Sequence, residues 1–322
     1  MNNKNKIVSI QHLRALAAIS VLGAHTFWGF GDIGVDLFFV ISGFIMFYII
    51  DLKPNKSSIT FFLDRYLRIA PIYYLFTLLY VLSGFTTITD LNQIIQSLTF
   101  VKYFETSPLL SIGWTLEYEF TFYSICALSI FLFKKISSRK YFIIFTLFAF
   151  FIVFDLIIYS DKLYGHFLEF FFGTIIYELY KKKILFSNQI MHLGCLLLLS
   201  AFLVVGHNYY STIGFTYLRF LVFGFPSSII LYLALSNETK WLSNNFLSIL
   251  GDASYSIYIS HTFVFHWLYK ITNINRYESL YFDVISFFIA ICFGVLVYYI
   301  IEKPSYNAIN KLRRNILLKK IK

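Results

Sequence analysis

The chain is 322 residues long, 58% hydrophobic and only 14% charged, with a mean hydropathy of +0.69. A water-soluble domain of this length has no interior large enough to hide that much apolar surface, so composition excludes an ordinary soluble enzyme. The formal net charge of +10 invites a nucleic-acid partner, and only the positions of the charges decide that question.

Apolar stretches of about 20 residues, the length that crosses a bilayer as a helix, recur along the chain. Ten are read as spans, at 8–28, 34–50, 67–84, 113–133, 141–159, 163–180, 189–206, 213–235, 247–269 and 280–301. The expected fold is therefore an all-α polytopic membrane protein with both termini cytoplasmic. Residues 1–302 would form the transmembrane domain and 303–322 a basic cytoplasmic tail on the inner membrane surface. In that arrangement the outside segments hold only Lys102, Lys162, Lys270 and Arg276. Arg14 and Arg219 lie within spans, and every other Lys and Arg is counted on an inside segment, Arg68 at the inner edge of the third span included. This is the positive-inside rule. The basicity sets topology and meets anionic lipid, and it implies no nucleic-acid partner.

The first span reads QHLRALAAISVLGAH, and ten residues separate Arg14 from His25. Eleven steps of about 100° return almost to the starting direction, so the two share a helix face, about 16 Å apart. Ionisable groups inside a span face a polar cavity or a partner rather than lipid. Lys4 and Lys6 before this stretch imitate a signal peptide, but Arg14 interrupts the apolar run and no clean cleavage site follows, which indicates a retained helix. The second span, opening GVDLFFVISGF, carries Asp36 near its outer end, at about the level of His25. There it either sets the tautomer of His25 or caps its own helix.

The third span opens DRYLRIAPIYY, with Arg65 and Arg68 three apart on one face of its inner end. Paired guanidinium groups suit a phosphate-bearing ligand entering from the cytoplasm, although positive-inside anchors would read the same way. The longest outside connection, about 85–112, contains DLNQIIQSLTFVKYF, which reads as an amphipathic or re-entrant helix. The fourth span begins GWTLEYEFTFY; Glu117 and Glu119 are two apart, so at most one faces a cavity. Trp114, Glu119 and Tyr123 fit a sugar site, or equally an interfacial aromatic cluster with a solvated acid.

The ninth span, GDASYSIYISH, has small residues at packing distance and offers His261 as a secondary site residue. Cys126, Cys195 and Cys292 all fall within spans, in odd number and without metal-ligand spacing, so neither disulfides nor a metal site is expected. No nucleotide-binding glycine loop is present.

Five of these pieces together resemble the membrane acyltransferase-3 family, in particular its exopolysaccharide-production and polysaccharide O-acetyltransferase members. They are Arg14 with His25, GVDLFFVISGFIM at 34–46, RYLRIAPIYY at 65–74, WTLEYEFTFY at 114–123 and SYSIYISH at 254–261. The resemblance implies acyl transfer from acyl-CoA, usually acetyl-CoA, to a hydroxyl of a cell-surface polysaccharide or its lipid-linked precursor, in a bacterial cytoplasmic membrane. It implies that His25 and Arg14 are essential, that Arg65 and Arg68 join Arg14 in holding the donor, and that Glu119 is the acid of the fourth-span motif. With Asp36 beside His25, the expected catalytic set is His25, Arg14, Asp36 and Glu119. Trp114, Glu119, Tyr123 and His261 are expected on the acceptor side. A transporter or flippase of lipid-linked glycans is the rival, disfavoured because the chain has no internal repeat and few interrupted helices.

Overall fold

The computed structural model describes residues 7–26, 33–102, 106–153, 165–184, 219–236, 245–274, 279–309 and 311. The expected span at 189–206 lies outside the described residues. Ten α-helices occur among those described: α1 (Val8–Ala24), α2 (Ile33–Leu52), α3 (Ser58–Leu82), α4 (Leu91–Thr99), α5 (Trp114–Leu132), α6 (Ile136–Phe150), α7 (His166–Lys181), α8 (Phe225–Ser236), α9 (Asn245–Thr272) and α10 (Leu280–Val297). Three helical stretches are long and apolar enough to cross a membrane: Ile33–Leu52, Ile136–Val153 and Leu280–Ile309. Buried positions make up 72% of the first span's window but only 22% and 28% of the other two, so α2 is the central helix while α6 and α10 face outward.

Helices α3, α5 and α9 match the length of a span but carry charges within it, among them Arg65, Arg68, Glu119 and Asp252. Helix α3 begins at Ser58 rather than near residue 67, because Ser57 accepts the Thr60 amide at 3.3 Å and caps it. Arg65 and Arg68 therefore stand about 10 and 15 Å into the helix instead of at its mouth. The loop between α2 and α3 shrinks to Lys53–Ser57.

Close backbone approach draws the central helices together. A Cβ on Gly43 would sit 2.0 Å from the Phe170 carbonyl oxygen, and one on Gly173 would sit 1.9 Å from that of Val40. Helices α2 and α7 are thus pressed together at two reciprocal glycines, as small residues allow in apolar surroundings. A third contact of this kind joins α9 to α1, where a Cβ on Gly251 would meet the Gln11 oxygen at 2.0 Å.

At one end of the bundle an ionic knot ties α2, α6 and α7. Asp51 accepts from Lys140 (2.9 Å), Lys181 (2.7 Å) and Tyr177 (2.6 Å), and Lys140 also reaches Glu178 (2.6 Å). Arg139 donates to the carbonyls of Phe133 and Pro54. The basic residues read as topology signals here also fasten helix ends.

The amphipathic helix expected between the third and fourth spans is α4, with its polarity turned inside out. Gln96 and Ser97 are buried, whereas Leu91 and Leu98 are exposed. Its polar side chains grip the protein: Gln96 donates to Glu117 at 2.6 Å, and Ser97 accepts the Leu109 amide at 2.9 Å.

We expect Gly173→Val to lower the melting temperature of the detergent-extracted protein by about 5 °C or more, since overpacking costs about 1–3 kcal/mol. Leu82→Ala, at a site 73% exposed, is the control that should melt with wild type. Equal melting of both variants would show that α2 and α7 are not packed backbone to backbone.

Candidate active site

Helices α1, α2, α3, α5 and α9 line a partly open cavity, with about 790 Å³ of space not filled by protein atoms when its open mouth is included. Its wall has two characters. Arg14, Arg65, Arg68, Glu119, Ser42 and Tyr123 form a polar part, while side chains such as Phe38, Phe39, Ile45 and Met46 form an apolar part. Arg65 and Arg68 both reach it, as their spacing of three on one helix requires.

Among the described residues, Arg14, Arg65 and Arg68 make no hydrogen bond or close ion pair to protein, and Nε of Arg65 is buried without a partner. The acids nearest in electrostatic terms to Arg14 are Glu302, Asp252 and Glu119, while Arg68 repels both Arg14 and Arg65. Like charges held together at the wall of a concave site focus a positive potential into it. Such an arrangement recognises an anion with several charged oxygens.

The two acids of α5 diverge as their spacing demands. Glu119 lines the cavity and accepts the Tyr123 hydroxyl at 3.0 Å, and that hydroxyl also lies 3.3 Å from Ser42 Oγ. Glu117 points away and takes the Gln96 amide, so it anchors α4.

His25 caps the C-terminus of α1, its amide donating to the carbonyls of Val21 and Leu22. It does not line the cavity. Its ring lies 5.1 Å from that of His261, which in turn lies 5.9 Å from the Tyr258 ring. Tyr258 lines the cavity, with its hydroxyl held 2.9 Å from Thr115 Oγ1 and 3.2 Å from the Ile112 oxygen. The polar route from Arg14 to His25 thus passes through one layer, Tyr258 and His261, rather than along an open shaft.

Asp36 is placed differently from the sequence expectation. Both its carboxylate oxygens are taken by Arg219, from Nε at 3.1 Å and from Nη2 at 2.7 Å, and it is fully buried. Its imidazole neighbour is His166, not His25: Asp36, His166 and Glu169 bring ligand-type atoms within 4.8 Å of one another. His166 Nδ1 lies 3.1 Å from Glu169 Oε2. Trp114 also joins this cluster, with its ring 5.3 Å from His166, and does not line the cavity. Sequence reading overlooked His166, Glu169 and Arg219. The available signals were an ionisable pair three apart within HFLEFFFG and a lone Arg inside an apolar run.

Helices α1, α2, α3, α5 and α9 thus set inward-facing arginines and an acid around one cavity, with an imidazole pair beyond its wall. A family profile described as an acyltransferase domain matches residues 7–302, and the chain belongs to that family, the membrane acyltransferase-3 family. It is 30% identical over 295 residues to the exopolysaccharide production protein ExoZ of Rhizobium meliloti (strain 1021), covering 85% of this chain and 89% of that protein. No solved structure matches it.

Asp36→Ala removes one half of a buried ion pair, so it should destabilise the protein by about 3–5 kcal/mol, read as a lowered melting temperature. If Asp36 acted only through His25, activity would fall while melting stayed unchanged.

Proposed function

We propose that this chain is a multi-pass O-acetyltransferase of the bacterial cytoplasmic membrane, with about ten spans and both termini in the cytoplasm. It moves an acetyl group from acetyl-CoA to a hydroxyl of a cell-surface polysaccharide or its lipid-linked precursor. The observation that carries this reading is the cavity wall of Arg14, Arg65 and Arg68, unengaged by hydrogen bonds to protein among the described residues. Three guanidinium groups match the phosphates of coenzyme A in charge and hydrogen-bonding geometry. The name of the Rhizobium relative supports a polysaccharide acceptor.

The donor's phosphates sit among the arginines, and its pantetheine arm runs along the apolar wall toward Tyr258. Along α1, Arg14 and His25 are about 16 Å apart, so Arg14 holds the donor's charged end while His25 serves its thioester. Acyl transfer then needs an imidazole to take the hydroxyl proton and a proton for the leaving thiolate; His25 supplies this chemistry, by direct transfer or through an acyl-imidazole. Glu119, Tyr123 and His261 present polar groups to the acceptor, while Trp114 acts at one remove through Phe39, its neighbour at 6.4 Å. Asp36 supports the fold through Arg219. The acyltransferase family match disfavours a flippase of lipid-linked glycans.

Purified protein given radiolabelled acetyl-CoA and membranes from cells lacking this gene should release free thiol and label polysaccharide. His25→Ala should abolish labelling while melting like wild type; label transfer by that variant would remove His25 from the chemistry. Arg68→Ala should raise the Michaelis constant for acetyl-CoA about tenfold or more, the scale of a charge-assisted hydrogen bond at about 1.5–3 kcal/mol, and leave that for the acceptor within about twofold. A rise confined to the acceptor would contradict the donor site.

A further inference from the structure

His261 holds a lone pair that the fold has prepared and left unused. Its Nδ1 lies 2.5 Å from the carbonyl oxygen of Tyr258, three residues back on α9. A carbonyl only accepts, so Nδ1 carries the hydrogen and, in the neutral ring, Nε2 is the bare acceptor. That Nε2 is buried and has no hydrogen-bond partner among the described residues, on a side chain with no exposed surface. A buried acceptor left without a donor costs about 1–3 kcal/mol, so its persistence calls for an explanation.

Its position supplies one. Tyr255 and Tyr258 line the cavity, and His261 is the next residue in the same i, i+3 row, about 4.5 Å further along α9. Because Nδ1 is turned back onto its own helix, the Nε2 edge projects away from it. The His25 ring is 5.1 Å away, and Phe265 packs on another side at 5.6 Å. His261 therefore stands one helical step behind the lining tyrosines, a proton acceptor of fixed tautomer beside the imidazole at the end of α1.

We propose that His261 is a second catalytic residue, with Nε2 as the base that takes the proton of the acceptor hydroxyl, while His25 serves the leaving thiolate. The inference rests on the acetyltransferase reading but moves the hydroxyl's proton transfer, given there to His25 together with the thiolate's, to the second ring. The hydroxyl O–H bond breaks as its proton passes to Nε2, and the oxygen bonds to the acyl carbon. The carbon–sulfur bond then breaks, and the thiolate takes a proton from His25. A proton returned from His261 to His25 resets the pair, so one proton enters from the hydroxyl and one leaves on the thiol. The division explains why one ring has a tautomer pinned by the backbone: a base must keep its lone pair facing the substrate.

The test compares His261→Gln and His261→Ala with wild type, using labelled acetyl-CoA, membranes from cells lacking the gene, and separate equilibrium binding of acetyl-CoA to purified protein. Glutamine restores an acceptor oxygen able to hold a hydroxyl but unable to take its proton. We expect both variants to bind acetyl-CoA with wild-type affinity and to lose about 10²–10⁴-fold in turnover, the range of general-base catalysis. A glutamine variant within about threefold of wild type would show that His261 only holds or packs, and would overturn the proposal. Loss of acetyl-CoA binding in both variants would assign His261 to the fold and overturn it equally. Failure of the wild-type protein to use acetyl-CoA would instead remove the functional reading on which the inference stands.

Discussion

Holding several guanidinium groups in one low-dielectric cavity without neutralising each of them is the constraint around which this bundle is arranged. Arg68 repels both Arg14 and Arg65, and no carboxylate comes within hydrogen-bonding distance of any of the three among the described residues. Charges in such a place are tolerated only where surrounding helices shield them from lipid and a polar space receives them. The apolar faces of α6 and α10 turn outward, α2 supplies much of the cavity's apolar wall, and Glu119 with its tyrosine and serine partners offsets part of the charge from within. In the proposed reaction the remaining imbalance is filled by the donor's phosphates.

The same constraint explains the close packing. A cavity next to charged groups survives only if its walls are rigid, and here the walls are braced by backbone contacts at Gly43, Gly173 and Gly251. Two polar clusters lie outside the cavity lining: the buried Asp36–Arg219 pair with His166 and Glu169, and the partly exposed Asp51 knot of lysines. Both hold helices in register, and the first shows that in-span charge is not by itself a mark of chemistry. The distinguishing feature of the cavity arginines is that protein hydrogen bonds do not satisfy them.

Much of this was legible in the sequence because helical periodicity fixes direction. The spacing of Arg65 and Arg68 put both on one face, and the spacing of Glu117 and Glu119 sent them apart; the structure places all four accordingly. Contacts between distant helices were not legible. Asp36 lies near His25 in sequence, but Arg219, 183 residues away, claims it. His261 looked secondary because nothing in the sequence says that Nδ1 is tied to the Tyr258 carbonyl or that the ring stands beside His25. The charges of DRYLR argue for starting the third span at 67, whereas the Ser57 cap lets α3 begin at Ser58 and carry Arg65 and Arg68 into the bundle.

A structure of the protein with a non-hydrolysable acetyl-CoA analogue would test the central claim most directly. The account predicts phosphate oxygens within hydrogen-bonding distance of Arg14, Arg65 and Arg68, and the thioester position beside the His25–His261 pair. An analogue bound outside this cavity, with the three guanidinium groups untouched, would contradict it.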